Sequence, residues 1–240
     1  MATPTIVPDP RGSEEGMASR KFWLIASIVA AVAVYATMWI GYAQNWVWLD
    51  SVDTRLLQTF HDIGADRPWW VSFWVVFCTV FGPMGFRVVA LVLVIVAMRR
   101  RNVATAMFLV VTIGLMGLVT EGAKYLAGRP RPATALAHAA STSFPSGHAL
   151  GTMAALLAVG AVCLPHLRPR LRPWAVAAAV LVVLTVGLGR VALNVHHLSD
   201  VVAGWAMGYA YFAVCLVILR GDRAGVTTAD ETPAVPDTAR

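Results

Sequence analysis

The chain has 240 residues, 58% hydrophobic and only 13% charged, with a net charge of +6 and a mean hydropathy of +0.66. Soluble globular domains carry roughly a quarter charged residues, so this composition excludes an ordinary soluble domain and points to a polytopic membrane protein. The basic residues cluster at the ends of apolar runs, which is loop topology and excludes a nucleic-acid-binding face.

Residues 1–20, rich in Pro, Gly, Ser and Glu, read as a disordered tail. The first span follows at 22–43, "FWLIASIVAAVAVYATMWIGYA". It is longer than a signal-peptide core and has no small-x-small cleavage pattern, so it reads as uncleaved. In the mixed segment 44–68, Val52, Leu56, Leu57 and Phe60 share one helical face, as in an amphipathic helix lying in the membrane interface. The apolar stretch from Trp69 to Met98 would be about 45 Å long as one helix, too long for a hydrocarbon core of about 30 Å. "FGPMGF" at 81–86 divides it into a short, shallow helix at 69–81 and a span over 84–98. Further spans are expected at 103–125, 147–164, 174–193 and 199–219, with a polar tail at 221–240. The fold class is therefore all-α: a bundle of about six transmembrane helices with an interfacial helix, as one membrane domain over 21–220.

An even number of spans puts both tails on one side. Arg99 to Arg101 and Arg168, Arg170 and Arg172 share that side, which the positive-inside rule makes cytoplasmic. The nine Trp suit interfacial belts. Cys78, Cys163 and Cys215 lie apart within apolar runs and read as buried free thiols, with no metal or disulfide pattern.

Three polar segments fall together on the extracytoplasmic face. "KYLAGRPRP" brings Lys124 and Arg131, with Gly128 and Pro130 ending the helix so that Arg131 points back from the loop. "FPSGH" offers Ser146 as a helix cap, Gly147 for close backbone approach and His148 in the first turn, at a helix N-terminus suited to an anion. "GRVALNVHHLSD" supplies Arg190, then His196 and Asp200 four apart on one helical face, where the carboxylate can orient the imidazole.

Singly, each segment has a plain structural reading: snorkelling cations, a Ser cap, a capping Asp. Together, three cations without matching carboxylates, beside a helix N-terminus and two His, require an anion, and a phosphate fits. A neutral His196 oriented by Asp200 can attack phosphorus, and a protonated His148 can donate to the leaving oxygen. No carboxylate cage for Mg²⁺ is visible, so neither a metal nor another cofactor is expected.

The series K-x6-RP (Lys124, Arg131, Pro132), PSGH (Pro145 to His148) and R-x5-H-x3-D (Arg190, His196, Asp200) resembles the three-part signature of the type-2 phosphatidic acid phosphatase family, relatives of vanadium haloperoxidases and bacterial acid phosphatases. The motifs cover 124–200, and the six-span layout extends the likeness to about 22–219. The resemblance implies His196 as nucleophile, Asp200 as its partner and His148 as general acid. It implies phosphate binding by Lys124, Arg131, Ser146, Gly147 and Arg190. It also implies a metal-independent lipid phosphatase in a bacterial-type plasma membrane. Its substrate would be an isoprenyl pyrophosphate, phosphatidylglycerol phosphate or phosphatidic acid, and inorganic phosphate its product.

One departure is Gly189, where the family usually has Ser; the lost hydroxyl is expected to alter phosphate binding without abolishing activity, since Gly189 can still offer its backbone N–H. His197 replaces a frequent aromatic and reads as a rim residue, while Arg129 and His138 read as loop residues within reach of a headgroup. A lipid phosphotransferase, a haloperoxidase, a transporter or an inactive lipid-binding protein are the competing readings. Polar residues gathered at one face favour surface chemistry over transport. Nothing in the sequence speaks to oligomeric state.

Overall fold

The computed structural model describes residues 10–221. Chain order gives helices α1 (Pro10–Ala43), α2 (Val47–Gly64), α3 (Pro68–Val80), α4 (Pro83–Arg99) and α5 (Val103–Leu109), a π-helical turn (Val110–Gly114), then α6 (Met116–Ala127), α7 (Gly147–Cys163), α8 (Arg172–Ala192) and α9 (Leu198–Gly221). Six helical segments among the described residues are long and apolar enough to cross a membrane. The expected all-α bundle is thus observed. Helix α1 reaches back to Pro10, into the stretch expected to be a tail, and the rest of that tail and all but Gly221 of the C-terminal one lie outside the described residues.

Many large apolar side chains face outward, among them Leu118, Leu126 and Trp174, each more than 70% exposed. Lipid is as apolar as leucine, so outward leucines cost nothing there and helix association depends on close packing. Helices α7 and α9 form the closest pair. A Cβ at Gly204 would stand 2.6 Å from the Ser146 carbonyl oxygen, and one at Gly208 2.5 Å from that of Leu150. The absence of side chains at these two positions lets α9 press onto the first turns of α7. Helix α1 packs on α9, joined by a 2.7 Å Ser27–Tyr209 hydroxyl hydrogen bond.

The break between α3 and α4 occurs at "FGP", as expected, with Gly82 extended and Pro83 opening α4. The span 103–127 carries a feature absent from the sequence reading. Its π-helical turn makes an i→i+5 bond from Leu115 N–H to Val110 O at 3.2 Å, and Tyr211 donates its hydroxyl to Val111 O at 2.6 Å. One extra residue per turn rotates everything downstream by about 100°. That rotation turns Thr120 and Lys124 inward, where both are buried.

The interfacial helix is α2; of the expected face Leu57 is buried with Leu56 and Phe60 packed beside it, while the inward side also takes in Leu49 and Asp53. Leu49, Asp53 and Leu57 are buried, whereas Val52 is 41% exposed. An acidic residue in the i, i+4, i+8 row was passed over because apolar periodicity looks only for apolar side chains. The α6 end, α7 start, α8 end and α9 start lie at one end of the bundle, with the two arginine-rich turns at the other.

Candidate active site

The loop 128–146 starts where Gly128, in the left-handed conformation (φ 59°), closes α6 and returns its N–H to Lys124 O at 2.9 Å. It is then fastened to the α8–α9 turn. Leu136 N–H reaches Leu193 O at 2.9 Å, and Thr134 donates to Asn194 Oδ1 at 2.9 Å. The Arg131 guanidinium donates to the carbonyls of Ser141 and Val195, each at 2.6 Å. The same guanidinium lies 3.2 Å from His196 Nε2. Arginine only donates, so Nε2 accepts and carries the lone pair. Arg131 does point back from its loop, onto the ring nitrogen available for attack.

His196 is 1% exposed. Burial holds its pKa down to about 4; Asp200 opposes that shift, and Arg190 and Arg131 add to it. The ring is therefore neutral across the physiological range, its Nε2 lone pair unprotonated and facing Arg131.

Lys124 is buried, with Nζ 2.5 Å from Ser141 Oγ and 3.7 Å from Glu121 Oε1. Its stem passes Gly147, where a Cβ would lie 4.0 Å from Lys124 Cε and 3.0 Å from Thr120 Cγ2. Arg190, in the last turn of α8, is 9% exposed, and its Nε has no hydrogen-bond partner. Buried donors are almost always satisfied, so this one marks a place for an acceptor. His148 sits half-buried in the first turn of α7, within electrostatic reach of Arg190, His196, Lys124 and Arg131. Its ring edge rests on Gly82, where a Cβ would approach to 3.0 Å. The α3 backbone is closer still, with Cys78 O nearest that Cβ position, so the glycine of the α3–α4 break is required first by the chain itself and His148 packs on the space it leaves.

Ser146 is fully buried and already engaged. Its N–H donates to Asp200 O at 2.9 Å, and its hydroxyl oxygen caps Ala149 N–H at 3.5 Å. Of the first-turn amides, Gly147 and His148 are those the helix leaves without a carbonyl partner.

Three sequence expectations need correction. Asp200 is not reserved for His196: its Oδ2 lies 3.6 Å from His196 Nδ1, while His197 Nδ1 is nearer at 3.2 Å. That oxygen also accepts from His197 N–H at 2.9 Å and from the Ser143 hydroxyl, and Oδ1 accepts from Arg129 at 2.6 Å. Arg129 is more than an open loop cation, although it also lines the cavity beside Tyr42. It is 6% exposed, stacks over the Tyr42 ring at 4.6 Å and bridges Asp200 and Asp53. Gly189 offers no N–H, because it lies inside the continuous helix α8. A Cβ there would fall 2.6 Å from Trp74 Cε3 and 2.8 Å from Cys78 Sγ, so the missing side chain answers a lack of room.

Asp53, Ser143 and Ser199 were not foreseen. They hold Asp200 and its helix, and no motif marks them. His197 faces a cavity as well as Asp200. With Tyr42, Asn45, Trp46, Asp50 and Arg131 it borders a cavity of about 210 Å³ between the end of α1, α2 and the loop. Among the described residues no group of three His, Cys, Asp or Glu could hold a metal ion.

Residues 105–223 match the family model of the PAP2 superfamily. A lipid A 1-phosphatase of Rhizobium johnstonii is 32% identical over 123 residues, 47% of this chain and 46% of the relative. The match thus spans about half the length of that curated relative. A solved transmembrane PAP2-type phosphatidylglycerolphosphate phosphatase from Bacillus subtilis superposes with a TM-score of 0.70 at 21% identity, over 83% of this chain and 97% of that one. The bundle is a transmembrane PAP2 fold, and the protein is a multi-pass membrane protein.

Proposed function

Residues 105–223 place the chain in the PAP2 superfamily, and on that premise we propose that it is an integral-membrane lipid phosphatase working through a phosphohistidine. His196 Nε2 attacks phosphorus; the new P–N bond replaces the P–O bond to the lipid. His148 protonates the departing oxygen. Water, deprotonated by His148, then cleaves the P–N bond and releases inorganic phosphate. Arg131, Arg190 and Lys124 stabilise the equatorial oxygens, with the Gly147 and His148 amides of the α7 N-terminus. No step needs a metal ion.

The observation that carries this reading is the Arg131 guanidinium 3.2 Å from the lone pair of His196 Nε2, beside the unpartnered Nε of Arg190. Those two donors beside the nucleophilic nitrogen are the groups a tetrahedral dianion would engage. The cavity by Tyr42, Asn45 and Trp46 would take the group esterified to phosphate. The candidate substrates are a lipid A-like 1-phosphate, after the Rhizobium relative, phosphatidylglycerol phosphate, after the Bacillus one, and phosphatidic acid or an isoprenyl pyrophosphate. The site faces the extracytoplasmic leaflet of the cell membrane, with the arginine-rich turns in the cytoplasm.

The test is phosphate release by the detergent-purified protein from a panel of these lipids, with and without EDTA, beside His196→Ala. Wild type releases phosphate in EDTA and the variant does not. Equal release by the variant would remove His196 as nucleophile, and complete loss in EDTA would remove the metal-free mechanism.

A further inference from the structure

We propose that Asp53, on α2, is a positioning residue of this site: acting through Arg129 and Ser199, it sets the carboxylate that stands behind His196. Asp53 is 146 positions from Ser199 in sequence and 1% exposed. Its Oδ1 accepts Ser199 N–H at 3.0 Å, in the first turn of α9, and its Oδ2 accepts the Ser199 hydroxyl at 2.5 Å. A residue on a distant helix therefore satisfies a first-turn N–H of α9, complementing Asp200, whose Oδ2 accepts the His197 N–H from within the helix's own sequence. Oδ2 also receives Arg129 at 3.1 Å, and Arg129 reaches Asp200 Oδ1 at 2.6 Å and Ser199 Oγ at 2.7 Å.

The network holds one guanidinium between two carboxylates, all three buried. Its net charge is negative, and a buried charge persists only when paired and hydrogen-bonded. With Asp53 in place, Arg129 divides its attraction between two acids, and Asp200 keeps more of its negative potential at His196. Without Asp53, Arg129 bears on Asp200 alone, and Ser199 N–H loses its acceptor. Both changes weaken support for the positive charge His196 develops as its nitrogen bonds to phosphorus. The other groups facing His196 stay as they are: His197 beside it, Arg131 from the loop, Arg190 from α8, His148 from α7 and Lys124 from α6.

This inference rests on the phosphatase reading only where turnover is the readout. In Asp53→Asn, kcat for phosphate release from a lipid phosphate falls about tenfold, the usual size for a residue one shell behind a reacting group, with KM within about twofold. The acid limb of the kcat–pH profile moves to lower pH. Asp53→Glu, which keeps the charge, returns the limb to its wild-type position. Asp62→Asn, an exposed acid on the same helix, leaves the profile unchanged. Wild-type kcat in Asp53→Asn, or a lower kcat with an unmoved limb, overturns the proposal, since a merely structural role changes the amount of active enzyme and not its titration.

If Asp53→Asn does not fold, Ser199→Ala carries the test. It removes only the bridging hydroxyl and lowers kcat about threefold, the worth of part of a hydrogen bond; unchanged kcat overturns the proposal. If wild type hydrolyses no lipid phosphate, the phosphatase reading fails by itself. The coupling is then read from His196 in ¹⁵N-histidine NMR of the full chain in nanodiscs. A lower His196 pKa in Asp53→Asn supports it, and an identical titration overturns it.

Discussion

Restoring the family's serine at position 189 is expected to damage this protein. A Cβ at that position would lie 2.6 Å from Trp74 Cε3, 3.0 Å from Cζ3 and 2.8 Å from Cys78 Sγ. Trp74 is not a flexible end that swings aside: its ring packs edge-on against Trp70, Phe73 and Phe77 at 5.7, 5.1 and 6.0 Å. Trp70 in turn donates to Ala192 O at 3.3 Å. Relief must come from a shift of α3 against α8, which also displaces Arg190, the next residue on α8. Overpacking of this kind costs about 1–3 kcal/mol, and for a chain of this size each kcal/mol lowers Tm by roughly 2–4 °C. Gly189→Ser should therefore lower the melting temperature in detergent by about 2–12 °C. It should raise KM for a lipid phosphate, because Arg190 is moved. Adding Trp74→Leu makes room and should recover part of the loss, so the double variant is more stable than Gly189→Ser alone. A Gly189→Ser protein as stable as wild type, with equal or better activity, would refute the steric account of this glycine.

His196→Ala should abolish phosphate release, whereas His197→Ala, though its ring stands nearer Asp200, should cost about tenfold or less in kcat, since it touches the carboxylate and not phosphorus. Because burial holds His196 near a pKa of about 4, below the ordinary 6.5, the neutral imidazole persists as pH falls. Its protonation should cut kcat only as pH approaches about 4. The same shift gives stability that is fully present above about pH 6.5 and lost as pH falls toward 4, because the unfolded chain binds that proton first; thermal unfolding across this range reads it. Arg131→Lys keeps one charge but loses the fork that grips two carbonyls and faces His196, and should lower kcat about 10²–10³-fold in phosphate-release assays.

Several features were legible in the one-dimensional chain because each rests on local chemistry. Twenty-residue apolar runs fix spans, Gly82 and Pro83 fix the break, and arginine clusters mark the loop ends opposite the site. Lys124, Arg131, His148, Arg190 and His196 announced themselves because charged and titratable side chains are costly beside a membrane. The sequence could also tell that these groups lie at one end of the bundle, since span counting alone sorts loops to sides. What remained hidden depends on distances between remote segments. Asp53 looks like any polar residue of an amphipathic helix until α2 lays it against the N-terminus of α9. Arg129 and Asp200 read as a loop cation and a private partner of His196, and only packing makes them one buried network with Asp53. The empty Cβ position of Gly189 has meaning only once Trp74 stands 2.6 Å away. The π-helical turn at Val110–Gly114 inserts its extra residue without any sequence marker, yet it decides which face of α6 carries Lys124. Residue type therefore determined the chemistry this end of the bundle holds, and tertiary packing determined which carboxylate serves which cation, because electrostatic pairing in a buried site is set by separations of a few ångströms.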